Sequence, residues 1–176
     1  MGRELRNERG ENEMDAKQAI ESGMDAGFRV LHMYVSDLDD ADLMERPGPG
    51  CNHLAWQLGH LILSEISLLN MVAPGSAPEL PEGFAQAHSK ENSSVDDPSQ
   101  FLSKAEYLKL HEDVRKASKR VLAELPPERL DEPGPERFRA VFPTVGSLFL
   151  LIGSHPLLHA GQMVPIRRRK GKPVVI

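Results

Sequence analysis

The chain has one cysteine, Cys51, in 176 residues. A lone thiol cannot build an intrachain disulfide framework, and the composition suits a reducing cytoplasm. No early segment couples basic residues to an apolar stretch, so a signal peptide is not expected. No apolar run reaches the roughly 20 residues that a bilayer span requires. The longest, near residues 145–152, leads directly into histidines. An excess of positive charge is also missing: the net charge is −5, which gives no overall attraction to nucleic acid or anionic membrane. Two familiar metal motifs are absent as well. Pro156 stands where the glutamate of an HExxH motif would be, and no Glu-x-x-His pair occurs. The first excludes a zincin protease and the second argues against a ferritin-like di-iron site.

What is present is helical patterning. With 40% apolar and 27% charged residues, the chain reads as one soluble globular domain. Residues 1–13 hold three arginines and four glutamates with almost nothing to bury. They read as a charged, flexible tail, which leaves residues 14–176 as the single domain.

Four helices follow from apolar spacing and punctuation. The first begins at Met14, buries Ile20, Met24, Phe28, Leu31 and Val35, and stops by the PGPG turn at Pro47. The second starts near Cys51 with Asn52 as its N-cap and ends before Pro74. The third spans about Gln100 to Leu125, with Tyr107, Val114, Ala117 and Val121 inward. Arg115 is counted there among a charged, solvated face. The fourth starts at Thr144 and runs to Arg169. Between the second and third lies a proline- and serine-rich loop, residues 74–98, of 25 residues. Such length is unusual in a compact domain. It makes sense if the chain travels back roughly 30 Å along the bundle, which would make the second and third helices parallel. The expected fold is all-α, a four-helix bundle.

Histidines carry the functional signal. His155 and His159 lie four apart on the face that holds Val145, Leu148, Ile152 and Gln162. Such a pair sits about 6 Å apart at Cβ, close enough for both rings to bind one divalent ion. The alternative is two hydrogen-bonded core histidines. Burying two imidazoles on one face doubles the desolvation cost, which favours metal. His60, flanked by apolar residues in mid-helix, is the third ligand. His53 reads as a capping or surface residue at a helix start, His32 as a helix-flank residue, His88 as a solvated loop residue and His111 as a weaker candidate. Gly59 fits a close helix crossing or room beside a metal, or is a harmless glycine. Pro156, between the paired histidines, removes the amide that would bond the Ile152 carbonyl and should kink the helix. The cluster Arg167, Arg168, Arg169, Lys170 and Lys172 matches the helix dipole, with an anion-holding role as the alternative.

RPGPGCNHLAWQLGHL and TVGSLFLLIGSHPLLHAGQMVPIRRRKGKPV together resemble the DinB-like (DinB/YfiT) superfamily of metal-dependent bundles. The likeness spans about residues 14 to 173. It rests on a mid-helix His after a W-x-x-G stretch and on an HxxxHxGQ segment in the last helix. The resemblance implies up-down-down-up helix order, in agreement with the loop argument, and one divalent ion (nickel, zinc or iron) on His60, His155 and His159. Gln162 falls on the motif's glutamine and is not taken as a ligand; Pro156 departs from the pattern. Relatives that use a low-molecular-weight thiol imply a thiol-dependent S-transferase acting on a small-molecule substrate. A metal-dependent hydrolase and a non-catalytic, metal-stabilised binding module or homodimer are the alternatives. Neither nucleic acid nor membrane is an expected partner, and the expected location is the cytoplasm.

Overall fold

The computed structural model describes residues 13–176, so the charged tail lies outside the described residues except for Glu13. The helices are α1 (Ala16–Ser36), the single-turn α2 (Asp40–Leu43), α3 (Leu54–Val72), the single-turn α4 (Phe84–Ala87), α5 (Lys104–Glu124) and α6 (Val145–Arg169). The four long ones are the expected four. Each of three begins where a side chain and its third neighbour satisfy each other's backbone amides: Asp15 with Gln18, Ser103 with Glu106, and Thr144 with Ser147. Such caps stabilise a helix by about 1 kcal/mol each. The cap of α3 differs from expectation. It is His53, not Asn52, and its ring accepts the Trp56 amide at 3.1 Å.

Cross-helix contacts fix the directions. Glu65 of α3 meets Arg115 and Ser118 of α5, while the start of α3 at His53 meets Phe101, just before α5. The second and third long helices are therefore parallel. Gly27 of α1 crosses Gly153 of α6 so closely that a Cβ on Gly27 would lie 1.9 Å from the Gly153 carbonyl oxygen. Further along, Tyr34 meets Arg167, so α1 and α6 are parallel as well. Lys119 late in α5 pairs with Glu21 early in α1, which sets the two pairs antiparallel. The bundle is up-down-down-up.

The long connection between α3 and α5 is better organised than its composition suggests. It contains α4 and a 3-10 turn at Pro98–Gln100, and Arg46 holds it through Asp96 at 2.7 Å and the Ser93 carbonyl at 3.1 Å. His88 is buried, contrary to the expectation of a solvated loop residue. Its Nδ1 meets the Phe84 carbonyl and its Nε2 the Tyr107 hydroxyl, both at 2.7 Å. Its ring lies on Gly59, where a Cβ would come within 2.0 Å of the imidazole. Gly59 is therefore the seat of a loop histidine, which neither a helix crossing nor space for a metal had anticipated.

The apolar core is in two parts. One groups Leu31, Leu54, Leu58, Ile62, Tyr107, Val114 and Met163; the other groups Met24, Leu68, Ala117, Leu148 and Ile152. The gap between them falls between Ile62 and Leu68 of α3, between Val114 and Ala117 of α5 and between Ile152 and Ala160 of α6, where Glu65, Arg115 and His155 stand. Arg115 thus belongs to the interior, at 3% exposure, and not to the solvated face of α5. The basic end of α6 is also mostly spoken for. Arg167 pairs with Asp37, Lys170 with Asp42 and Glu45, Arg169 with Glu45, and Lys172 with Asp37. Those partners leave little charge for an external anion. Among the described residues no helix is long and apolar enough to cross a membrane.

Candidate metal centre

His60 comes from α3, and His155 and His159 come from α6, which runs antiparallel to it. Each offers a ring nitrogen, and the three nitrogens lie within 4.8 Å of one another. The ring centroids are 4.9 to 5.4 Å apart. The structure thus brings together the three histidines singled out from the sequence. His53, His88 and His111 point into separate contacts, and Gln162 is exposed rather than inward.

The donor set fits a divalent ion. A tetrahedral ion with metal–nitrogen bonds of about 2.0–2.1 Å spaces its ligand nitrogens by about 3.3 Å. His155 Nε2 and His159 Nε2 are 3.2 Å apart. Their tautomers can be argued from neighbours. His159 Nδ1 lies 3.0 Å from Gln57 Oε1, an oxygen that only accepts, so Nδ1 carries the proton and Nε2 presents its lone pair to the cluster. Gln57 is held in turn, since its Nε2 donates to the Asn52 carbonyl at 2.8 Å. An outer partner of this kind fixes ring orientation and raises ligand basicity. Sequence reading missed Gln57. Its signal was available: an amide three residues before His60, on the same helix face.

Electrostatics keep the rings neutral. Burial, then the neighbouring His60, lowers the pKa of His155 to about 4. Burial, then His155 and His60, lowers that of His159 to about 3. His60 is shifted down too, by burial and then by Lys90. Three neutral imidazoles offer lone pairs at neutral pH without first losing protons.

Exposure differs across the set. His159 is buried, whereas His60 and His155 are partly exposed, so one side of the cluster faces solvent. Trp56 walls that side by stacking on His60, with centroids 5.2 Å apart and planes 6° from parallel. Its indole N–H donates to the Ser89 carbonyl at 3.0 Å, which ties the wall to the long loop.

Behind His155 lies the buried ionic network. Glu65 Oε1 accepts from Ser118 Oγ at 2.7 Å, and Glu65 Oε2 is 2.9 Å from Arg115 Nη2. His111 Nε2 stands 3.7 Å from the same carboxylate, and its Nδ1 is 3.3 Å from His32 Nε2. A narrow void lined by Leu61, Glu65, His111, Ile152, His155 and Pro156 separates this network from the cluster.

Comparison with known proteins agrees with the fold. The family model described as the DinB superfamily matches residues 24–163, which include all three histidines. No curated protein matches the chain.

Proposed function

This chain belongs to the DinB superfamily, and from that premise we propose that it is a metalloenzyme with one divalent ion on His60, His155 and His159. The finer reading is a thiol-dependent S-transferase that joins a low-molecular-weight thiol to an electrophilic small molecule. One observation carries the proposal: three neutral imidazoles converge within 4.8 Å on a side that is partly open to solvent. Bound there, nickel, zinc or iron would supply a Lewis acid of undiminished +2 charge, able to hold a thiol as its thiolate.

The protein's own groups do the rest. Gln57 keeps the Nδ1 proton of His159 turned away from the cluster. Trp56 and the loop at Ser89 shield one flank, which restricts water and leaves an apolar surface for a substrate to lie against. The second reading is a non-catalytic, metal-stabilised bundle, and it draws on Glu65 and His111. Glu65 is engaged by Arg115 and Ser118, and His111 Nδ1 by His32. Glu65 is thus tied up in the core, and His111 keeps one ring nitrogen, Nε2, without a hydrogen-bond partner.

The deciding experiment is metal content by mass spectrometry for the native chain and for His60→Ala, His155→Ala and His159→Ala, after reconstitution with nickel, zinc or iron. About one ion per chain, lost in every variant, is expected. A chain that takes up no metal would refute the site. With metal established, conjugation of a model electrophile with glutathione, mycothiol or bacillithiol separates transferase from binding module. Conjugation that persists after chelation would rule out the metal-dependent route.

A further inference from the structure

Two prolines interrupt α6, Pro156 and Pro165. Each deletes the amide that would bond the carbonyl four residues earlier, so the Ile152 and Gly161 carbonyls lose their helical donors. Their surroundings differ. Gly161 is exposed, and water can serve its oxygen. Ile152 is 3% exposed, and a carbonyl there needs a protein donor.

The donor comes from another helix. Arg115 Nη2 donates to the Ile152 oxygen at 3.3 Å, and its Nη1 donates to the Met24 oxygen at 3.4 Å. The same Nη2 is 2.9 Å from Glu65 Oε2, so a buried cation is neutralised where it is needed. The planar fork of an arginine can reach three acceptors on three helices at once; the point charge of a lysine cannot. The relevant carbonyl lies one helical turn before Pro156 and three residues before His155.

We propose that Arg115 is a positioning residue. It replaces the hydrogen bond that Pro156 deletes and thereby fixes the turn of α6 that presents His155, with Glu65 holding the guanidinium in place. The role of His155 as a ligand rests on the metal reading above; the link between Arg115 and Pro156 does not. A buried ion pair serving only the core would be indifferent to residue 156. A replacement hydrogen bond would become redundant once the amide returns.

The test is a four-member cycle: native chain, Arg115→Lys, Pro156→Ala and the double variant. Zinc affinity is read by competition with a chromophoric chelator and thermal stability by melting. Arg115→Lys keeps a charge opposite Glu65 but loses the fork. We expect it to weaken zinc binding about tenfold beside Pro156, the usual effect of losing an outer partner, and less than about twofold in the Pro156→Ala background. Equal losses in both backgrounds, or no loss beside Pro156, would overturn the proposal. If the native chain takes up none of zinc, nickel and iron, the metal reading falls; wherever zinc is not bound, melting decides the rest. An Arg115→Lys penalty at least halved by Pro156→Ala keeps the link; an equal penalty removes it. Should Arg115→Lys not fold, the neutral pair Glu65→Gln with Arg115→Gln, made with and without Pro156→Ala, replaces it in the cycle. A penalty halved by Pro156→Ala again supports the link, and an equal penalty again overturns it.

Discussion

The three-histidine cluster and the Glu65–Arg115 network lie on adjoining turns of the bundle, and they handle burial in opposite ways. The histidines are kept neutral, their lone pairs turned toward one another and one flank left partly open. The network pairs a carboxylate with a guanidinium in an enclosed setting, with Glu65 and Arg115 at 4% and 3% exposure. Neutral imidazoles tolerate burial because they can shed their charge. A carboxylate and a guanidinium tolerate it only by pairing, since each alone would cost several kcal/mol. The first arrangement turns lone pairs toward one another; the second joins a carboxylate to a guanidinium and a hydroxyl. Two core clusters, one on each side of the network, hold it in register.

Breaking the network should give the largest effect. Glu65→Ala leaves the Arg115 charge buried without its partner, and a loss of about 3–5 kcal/mol is expected. Urea unfolding of the metal-free chain measures it, and added zinc should not restore the difference.

The histidine cluster should respond to its ion and to acid instead. Zinc at about 100 times its Kd should add about 2.7 kcal/mol to stability, and nothing in His159→Ala. Protons act in a definite direction. An unfolded histidine titrates near 6.5, whereas His155 and His159 in the fold titrate near 4 and 3. Between these values the unfolded chain binds more protons, so stability falls as the pH drops from about 6.5 toward 4. His32, His53, His60 and His88, also shifted down by burial, add to the slope. Melting of the metal-free chain across this window should show the fall, shallower in His159→Ala. A flat profile would mean that the rings are not held neutral.

Much of this contrast was readable from the sequence on the histidine side and almost none on the ionic side. Periodicity says which face a residue occupies, and His60, His155 and His159 each share a face with leucines and isoleucines. It does not say what lies across from that face. Arg115 sits in a run with Glu112, Lys116 and Lys119, and only the crossing of α1, α5 and α6 turns it inward. His88 looked solvated because loops usually are; Gly59, the gap that admits its ring, lies 29 positions earlier. The basic end of α6 read as a match to the helix dipole, because its partners, Asp37 to Glu45, stand at the far end of the chain. Local pattern shows the long helices, the Thr144 cap and the turns that carry the three histidines. Pairings across more than a hundred residues are properties of the packing.

A smaller effect should separate geometry from charge inside the cluster. Gln57→Leu keeps the volume roughly and removes the acceptor for His159 Nδ1–H, so the ring can adopt either tautomer. Zinc affinity should fall by about 10–100-fold, measured by chelator competition, with little change in metal-free melting. A large melting change would mean that Gln57 supports the core more than the ligand.

The smallest effect concerns the basic end of α6. Arg167 is buried, at 2% exposure, and donates to the Tyr34 carbonyl and to Asp37. Arg168 is exposed. If the cluster anchors α6 to the turn after α1, Arg167→Ala should lower the melting temperature by several degrees, whereas Arg168→Ala should change it by no more than about 1–2 °C. Phosphate at millimolar concentration should stabilise neither variant nor the native chain, because Asp37, Asp42 and Glu45 already hold the neighbouring cations. Phosphate-dependent stabilisation lost in Arg168→Ala would instead identify an anion site at this end. The acidic partners would then be its counter-ions rather than its competitors.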